Sequence, residues 1–169
     1  FLHFSLTFVL VTLLGFIIYY AYPAAPPWYY QLHGAQFLPG TLGNTSSLHK
    51  FDDYFNINVF RTLYAKSSNV FAAMPSLHSS YPLIVVYFGT KKKLGCMNLV
   101  FITVALGIWF AAVSTSHHYI LDVIAGITCS AAGILIFQNI LWRSSCPRQF
   151  LNLHSTLIQG FGKNLNVST

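Results

Sequence analysis

Apolar residues fall along this chain in four long runs separated by polar or proline-rich stretches. The first, residues 1–22, is long enough to cross a bilayer, which takes about 20 helical residues. The second, residues 71–88, is interrupted by Pro75 and Pro82. The third, residues 94–113, follows the cluster Lys91-Lys92-Lys93. The fourth, residues 118–142, ends at Arg143. The pattern predicts an all-α fold, a multi-span helical membrane bundle with four spans visible. No internal repeat or low-complexity segment divides it. Residues 1–142 read as one membrane-embedded domain, and residues 143–169, polar with a weak apolar pattern, as a cytoplasmic tail.

Composition sharpens that picture. The chain is 54% hydrophobic and only 7% charged, far from the quarter or so of charged residues usual in soluble domains. The net charge of +6 is spread thinly among apolar blocks, which does not suggest a nucleic-acid surface. It suits cytoplasmic loops, since short loops rich in Lys and Arg stay on that side. The lysine cluster at 91–93 and Arg143 with Arg148 lie two crossings apart, so they agree on one side. The long loop 23–69 and the junction 114–118 are then expected on the opposite, lumenal or extracytoplasmic face. Cys96, Cys129 and Cys146 are scattered, an odd count with no metal-binding spacing, and read as small apolar fillers. The chain opens on Phe1 with no basic lead, which argues against a signal peptide and for a fragment or processed chain. Three prolines break the start of the outer loop, and Trp28, Tyr29 and Tyr30 fit a headgroup-level anchor. Asn44-Thr45-Ser46 is a glycosylation sequon on the expected outer face.

Candidate chemistry starts from Asp122. It is one of three acidic residues, and the other two, Asp52 and Asp53, sit side by side in a polar loop. A carboxylate inside a membrane-like run is a functional-site candidate by default. His118 precedes it by four residues, so on a helix the two share a face. There the Asp can fix the tautomer of the imidazole and steady its charge. The second segment is Pro75-Ser76-Leu77-His78-Ser79. Proline favours the first helical turn, so a helix is expected to start near Pro75 with the amides of Ser76, Leu77 and His78 open as an anion site. A helix from there to Phe88 is too short for the hydrocarbon core, which places its start in a recess. Ser114-Thr115-Ser116 is expected to cap a helix beginning at His117. His78 and His118 would then sit in first helical turns at one membrane face. A lone interfacial His is more often structural than catalytic, but two His and an Asp converging on one face favour chemistry. A zinc site built from His78, His118 and Asp122 is the weaker option, as nothing else demands a metal. His117 points about 100° away on a helix and reads as a neighbour. His3, His33, His49 and His154 fall outside the pattern.

Pro75-Ser76-Leu77-His78-Ser79 with His118-Tyr119-Ile120-Leu121-Asp122-Val123 resembles the lipid phosphatase/phosphotransferase superfamily named for type 2 phosphatidic acid phosphatase. Ala25-Pro26-Pro27-Trp28-Tyr29 and the paired His before Tyr look like its inositol phosphorylceramide synthase branch. The resemblance covers about residues 20–142. It implies His118 as the nucleophile on phosphorus, His78 as the acid to the leaving oxygen and Asp122 as the orienting carboxylate. It also implies a bundle usually of six spans, two of them upstream of Phe1, with lipid substrates and neither metal nor cofactor.

The chain departs from the superfamily at Leu77, where Gly is usual, and at Ala112, where Arg is usual, and it has no clean Lys-x6-Arg-Pro motif. Arg61 and Lys66, or the hydroxyls of Ser76 and Ser79, are the candidates for holding phosphate, with solvated loop charge the bland reading of the two cations. Three functions stay open. One is head-group transfer through a phosphohistidine, from a phosphoinositide to ceramide. Another is hydrolysis of phosphatidate or polyprenyl diphosphate on the same machinery. The third is a non-enzymatic membrane protein whose Asp122 serves an ion path.

Overall fold

In the computed structural model the described residues are 2–66, 69–141 and 149. Arg143, Cys146, Arg148 and His154, and nearly all of the expected tail, lie outside them. Among the described residues seven α-helices follow one another: α1 (Leu2–Ala21), α2 (Pro27–His33), α3 (His49–Phe55), α4 (Val59–Ala65), α5 (Leu77–Lys91), α6 (Cys96–Ser114) and α7 (Ile120–Ile136). A π-helical turn, Phe137–Leu141, prolongs α7. There is no strand among the described residues, only an isolated bridge between Ala24 and Ala72.

Among the described residues three helices are long and apolar enough to cross a membrane: α1, α6 and Ile120–Asn139. The fourth expected span is shorter. Its segment 71–76 is not helical, because Pro75 precedes the helix instead of opening it and Ser76 is the N-cap. The 15 residues of α5 extend about 22 Å, against a hydrocarbon core of about 30 Å. The α6 helix buries only Ala105 among its 19 residues and turns Leu99, Val104 and Phe110 outward. On α1, Val9, Leu13 and Ile17 are likewise exposed. Apolar surface of this extent belongs against lipid or further helices.

The short α5 lies at the centre, packed against α1, α6 and α7. Its contact with α7 is a seam of small residues, which lets backbones approach closely without a hydrophobic drive between helices. Ser80 Oγ donates to the Gly126 carbonyl at 2.7 Å, and Ser130 Oγ donates to the Ser80 carbonyl at 2.6 Å. A Cβ on Gly126 would stand 2.2 Å from the Ser76 carbonyl oxygen, a backbone atom that cannot swing aside. Gly126→Ala is therefore expected to part α5 from α7 and to destabilise the bundle by about 2–3 kcal/mol, the usual overpacking cost or slightly more. Thermal unfolding of the purified variant in detergent or nanodiscs reads this directly; an unchanged midpoint contradicts it. Elsewhere α1 presents Gly15 to Leu77 and Val11 to Gly133, and Tyr19 Oη donates to the Pro75 carbonyl at 2.9 Å.

The loop between α1 and α5 folds over the entrance to this bundle. Ala24 N–H donates to the Phe71 carbonyl at 2.8 Å, and Ala73 N–H to the Ala24 carbonyl at 3.2 Å. Trp28 and Tyr29 are buried against Val70 and Phe71, so these two are not headgroup anchors, although Tyr22 and Tyr30 stay exposed. The adjacent acidic residues have different fates. Asp52 is fully buried and accepts the Phe60 and Arg61 N–H groups at 3.2 and 2.9 Å, tying α3 to the first turn of α4. Asp53 remains exposed and pairs with Arg61 at 2.5 Å.

Candidate active site

A cavity of about 420 Å³ opens where α5, α6 and the α6–α7 junction meet the loop. Its wall is largely apolar, with His78, His117 and His118 as the titratable groups besides Tyr64. His78 is the second residue of α5, and its ring centroid is 6.1 Å from that of His118. His118 Nδ1 faces Asp122 Oδ2 at 3.7 Å, with both side chains nearly buried. That is ion-pair distance, just beyond a hydrogen bond. With Nδ1 turned to the carboxylate, Nε2 is the ring atom left for the cavity.

His118 reaches Asp122 by a different route from the expected one. No helix starts at His117: α7 begins at Ile120, with Tyr119 in extended conformation as its N-cap. The hydroxyls expected to cap it finish α6 instead. Thr115 Oγ1 donates to the Ala111 carbonyl at 2.7 Å and Ser114 Oγ to the same oxygen at 3.3 Å. Ser116 then takes the left-handed region at φ +59° and redirects the chain. His118 N–H donates to the Ala112 carbonyl at 3.0 Å, fixing the residue against the end of α6. Asp122 closes the turn from the other side by accepting Tyr119 N–H on Oδ2 at 2.8 Å. The carboxylate therefore caps its own helix while facing the imidazole, and α7 positions both partners through its N-terminal turn.

Backbone hydrogen bonds clamp three loops at this place. Trp28 N–H donates to the Ser116 carbonyl at 3.1 Å, and Ser76 N–H donates to the Asp122 carbonyl at 3.0 Å. The Ser76 amide is consequently not available to an anion, contrary to expectation. The Leu77 amide faces the Tyr19 hydroxyl, whereas the His78 amide, in the first turn of the 15-residue helix, takes no acceptor among the described residues. A helix start with open amides favours negative charge.

The four candidate phosphate-holding residues do not reach the cavity wall. Ser76 and Ser79 are fully buried in the α5–α7 seam, with Ser79 Oγ donating to Ser76 Oγ at 3.1 Å. Arg61 is drawn to Asp53 in the outer loop, and Lys66 is exposed at the end of α4. Among the described residues no three His, Cys, Asp or Glu side chains converge closely enough to hold a metal ion, which leaves the zinc option without a ligand set. The sequon residue Asn44 is half-buried, lines the cavity, and has its Oδ1 occupied by Ser46 N–H at 2.7 Å.

His117, read as a bystander, is part of the wall. Its Nδ1 lies 2.9 Å from Thr115 Oγ1 and 3.1 Å from the Thr115 carbonyl. Its ring rests on Tyr64, 4.7 Å between centroids. Its Nε2 is buried without a hydrogen-bond partner among the described residues. Burial first, then neighbouring His118, holds its pKa below the usual histidine range, against the Thr115 and Asn44 carbonyls that favour the cation. Burial also pushes the Tyr64 phenol up. Only the doublet His117-His118 hints at this in the sequence, because the helix expected to begin at His117 begins at Ile120.

A family model described as the PAP2 superfamily matches residues 1–136. The chain is 38% identical over 160 residues to the phosphoinositol dihydroceramide synthase of Bacteroides thetaiotaomicron, covering 94% of this chain and 52% of that protein. It is 34% identical to the inositol phosphorylceramide synthase of Candida albicans, over 75% of this chain and 27% of the relative. It is also 34% identical to the catalytic subunit of the same-named synthase of Saccharomyces cerevisiae, over 76% of this chain and 31% of that subunit. The chain thus spans about half the length of the bacterial relative and between a quarter and a third of the fungal ones. No solved structure matches it.

Proposed function

The chain belongs to the PAP2 superfamily, and from that premise we propose that it carries the catalytic centre of a membrane lipid phosphotransferase. In this reading the reaction moves a phosphoinositol head group from a glycerolipid to the hydroxyl of a ceramide-type lipid; the names of the relatives give the corresponding product, a phosphoinositol dihydroceramide or inositol phosphorylceramide, for them. The observation that supports it best is the pairing of His78 and His118 across one cavity, with Asp122 behind His118.

The steps follow from that pairing. The Nε2 lone pair of His118 attacks phosphorus, the bond from phosphorus to the diacylglycerol oxygen breaks, and protonated His78 gives that oxygen its proton. Asp122 steadies the positive charge on the His118 ring. The acceptor hydroxyl then attacks the phosphohistidine while neutral His78 takes its proton, and breaking the phosphorus–nitrogen bond restores His118. One difficult displacement becomes two easier ones, with His78 acting as acid and then as base. The phosphoryl oxygens rest against the His78 amide, where the positive end of α5 offsets their charge. The apolar wall accommodates lipid and keeps water from the intermediate. The cavity lies at the end of the bundle away from Lys91, Lys92 and Lys93, which supports a lumenal or extracytoplasmic site. Residues 1–142 form the catalytic membrane unit in this reading, and residues 143–169 the cytoplasmic tail.

The test is an assay of the full-length protein, purified into nanodiscs, with radiolabelled phosphatidylinositol and ceramide. The expected product is labelled inositol phosphorylceramide, formed in step with diacylglycerol release. Release of water-soluble inositol phosphate, or hydrolysis of phosphatidate, with no ceramide-linked product would establish a phosphatase instead.

A further inference from the structure

His117 lines the cavity, and among the described residues its Nε2 makes no hydrogen bond, although the Asn44 carbonyl also bears on the ring; the hydrogen bonds at Nδ1 fix which kind of partner Nε2 wants. Thr115 Oγ1 has one proton, and its short bond to the Ala111 carbonyl uses it. Toward His117 Nδ1 the same oxygen is then an acceptor, as is the Thr115 carbonyl. Only a protonated Nδ1 satisfies all three contacts. A neutral imidazole carries one N–H, so Nε2 presents a lone pair. Burial keeps the ring neutral near pH 7. Tyr64 on one side and the Thr115 bonds on the other hold it in place.

A buried acceptor without a donor is costly and gains when a donor arrives. An ionised phosphoryl oxygen is itself only an acceptor and does not serve. The donors that must come to this depth, beside the phosphorus, are alcohols: the attacking hydroxyl of the acceptor lipid and the ring hydroxyls of a polyol head group. We propose that His117 is a substrate-orienting residue, whose Nε2 accepts a hydrogen bond from an alcohol O–H of the bound substrate. The inference rests on the phosphotransferase reading for the identity of that substrate, while the tautomer follows from the Thr115 bonds, set against the Asn44 carbonyl that favours a further ring proton.

His117→Asn keeps a donor near Thr115 but has no atom at the Nε2 position; His117→Gln reaches that position and offers an amide oxygen. In the full-length protein in nanodiscs, His117→Asn is expected to raise one KM about tenfold, the worth of a hydrogen bond to a buried acceptor, with a smaller change in kcat. His117→Gln is expected to restore most of it. A rise in the KM for ceramide assigns the acceptor hydroxyl, and a rise in the KM for phosphatidylinositol assigns the head group. No change in either KM, or equal losses in both variants, overturns the proposal. Nitrogen NMR of histidine-labelled protein provides an independent reading. The His117 Nε2 signal should be that of an unprotonated ring nitrogen and should move on adding myo-inositol or a short-chain ceramide. A protonated Nε2, or a signal indifferent to both probes, overturns the proposal even if transfer is robust. A protein that shows the expected signal but transfers no head group refutes the phosphotransferase reading and leaves the hydroxyl site standing.

Discussion

Head-group transfer is expected to fall by at least about 10⁴-fold when His118 is replaced by alanine, a loss on the scale seen when a covalent nucleophile is removed. The site offers no substitute. His78 is the other imidazole facing His118 across the cavity, but it has no carboxylate behind it among the described residues and is needed for the proton. His117 has Nδ1 held by Thr115 and lacks an ion pair to steady a cation. The fold should survive, because the backbone N–H of His118, not its side chain, anchors the turn to the Ala112 carbonyl. Rates of labelled inositol phosphorylceramide formation, with unfolding midpoints of variant and parent compared, check both halves. Transfer within tenfold of the parent would remove His118 from the chemistry.

Asp122→Asn is expected to lower kcat by about 10²–10⁴-fold with a much smaller change in stability. The side chain has two duties that this substitution separates. As a cap it accepts Tyr119 N–H, and an amide oxygen can still do so. As a partner of His118 at 3.7 Å it supplies negative charge, and the amide cannot. Losing that charge also frees the amide to donate to His118 Nδ1, which would favour the wrong tautomer, a change known to cost about 10⁴-fold where a carboxylate orients a catalytic imidazole. Asp122→Ala, in contrast, should lose about 1 kcal/mol of cap in addition to the activity. If Asn and Ala lower stability equally and leave kcat intact, the carboxylate is only a cap.

The central histidine pair and its carboxylate were legible in the sequence because charge is scarce in it. An Asp in an apolar run, four residues from a His, stands out against so little background. The spans α1 and α6 were legible for a related reason, since length and apolarity alone define them. Where competing local chemistry decides, the sequence misled. Ser114, Thr115 and Ser116 suit a helix start, but the same groups can end the preceding helix, and the left-handed Ser116 commits them to that role. The late start of α7, at Ile120, leaves His117 off the expected helix and in the cavity wall. Ser76 and Ser79 resemble phosphate ligands until the glycine at 126 draws α7 against them. Arg61 resembles one until Asp53 claims it. Trp28 is buried by partners that lie far along the chain, at Val70, Phe71 and Ser116. The outcomes at Trp28, Ser76 and Ser79 depend on contacts between segments remote in sequence, which residue spacing does not encode, whereas those at residues 114–116 and at Arg61 turn on a choice among local partners.

The central claim is that phosphorus is carried on His118 between two lipids. Full-length protein in nanodiscs, mixed with phosphatidylinositol labelled in its phosphate and quenched in alkali without ceramide, should retain the label, and digestion should place it as phosphoinositol on the peptide containing His118. Adding ceramide before the quench should discharge that label into inositol phosphorylceramide. Efficient transfer with no label on protein, or label on any residue other than His118, would contradict the account.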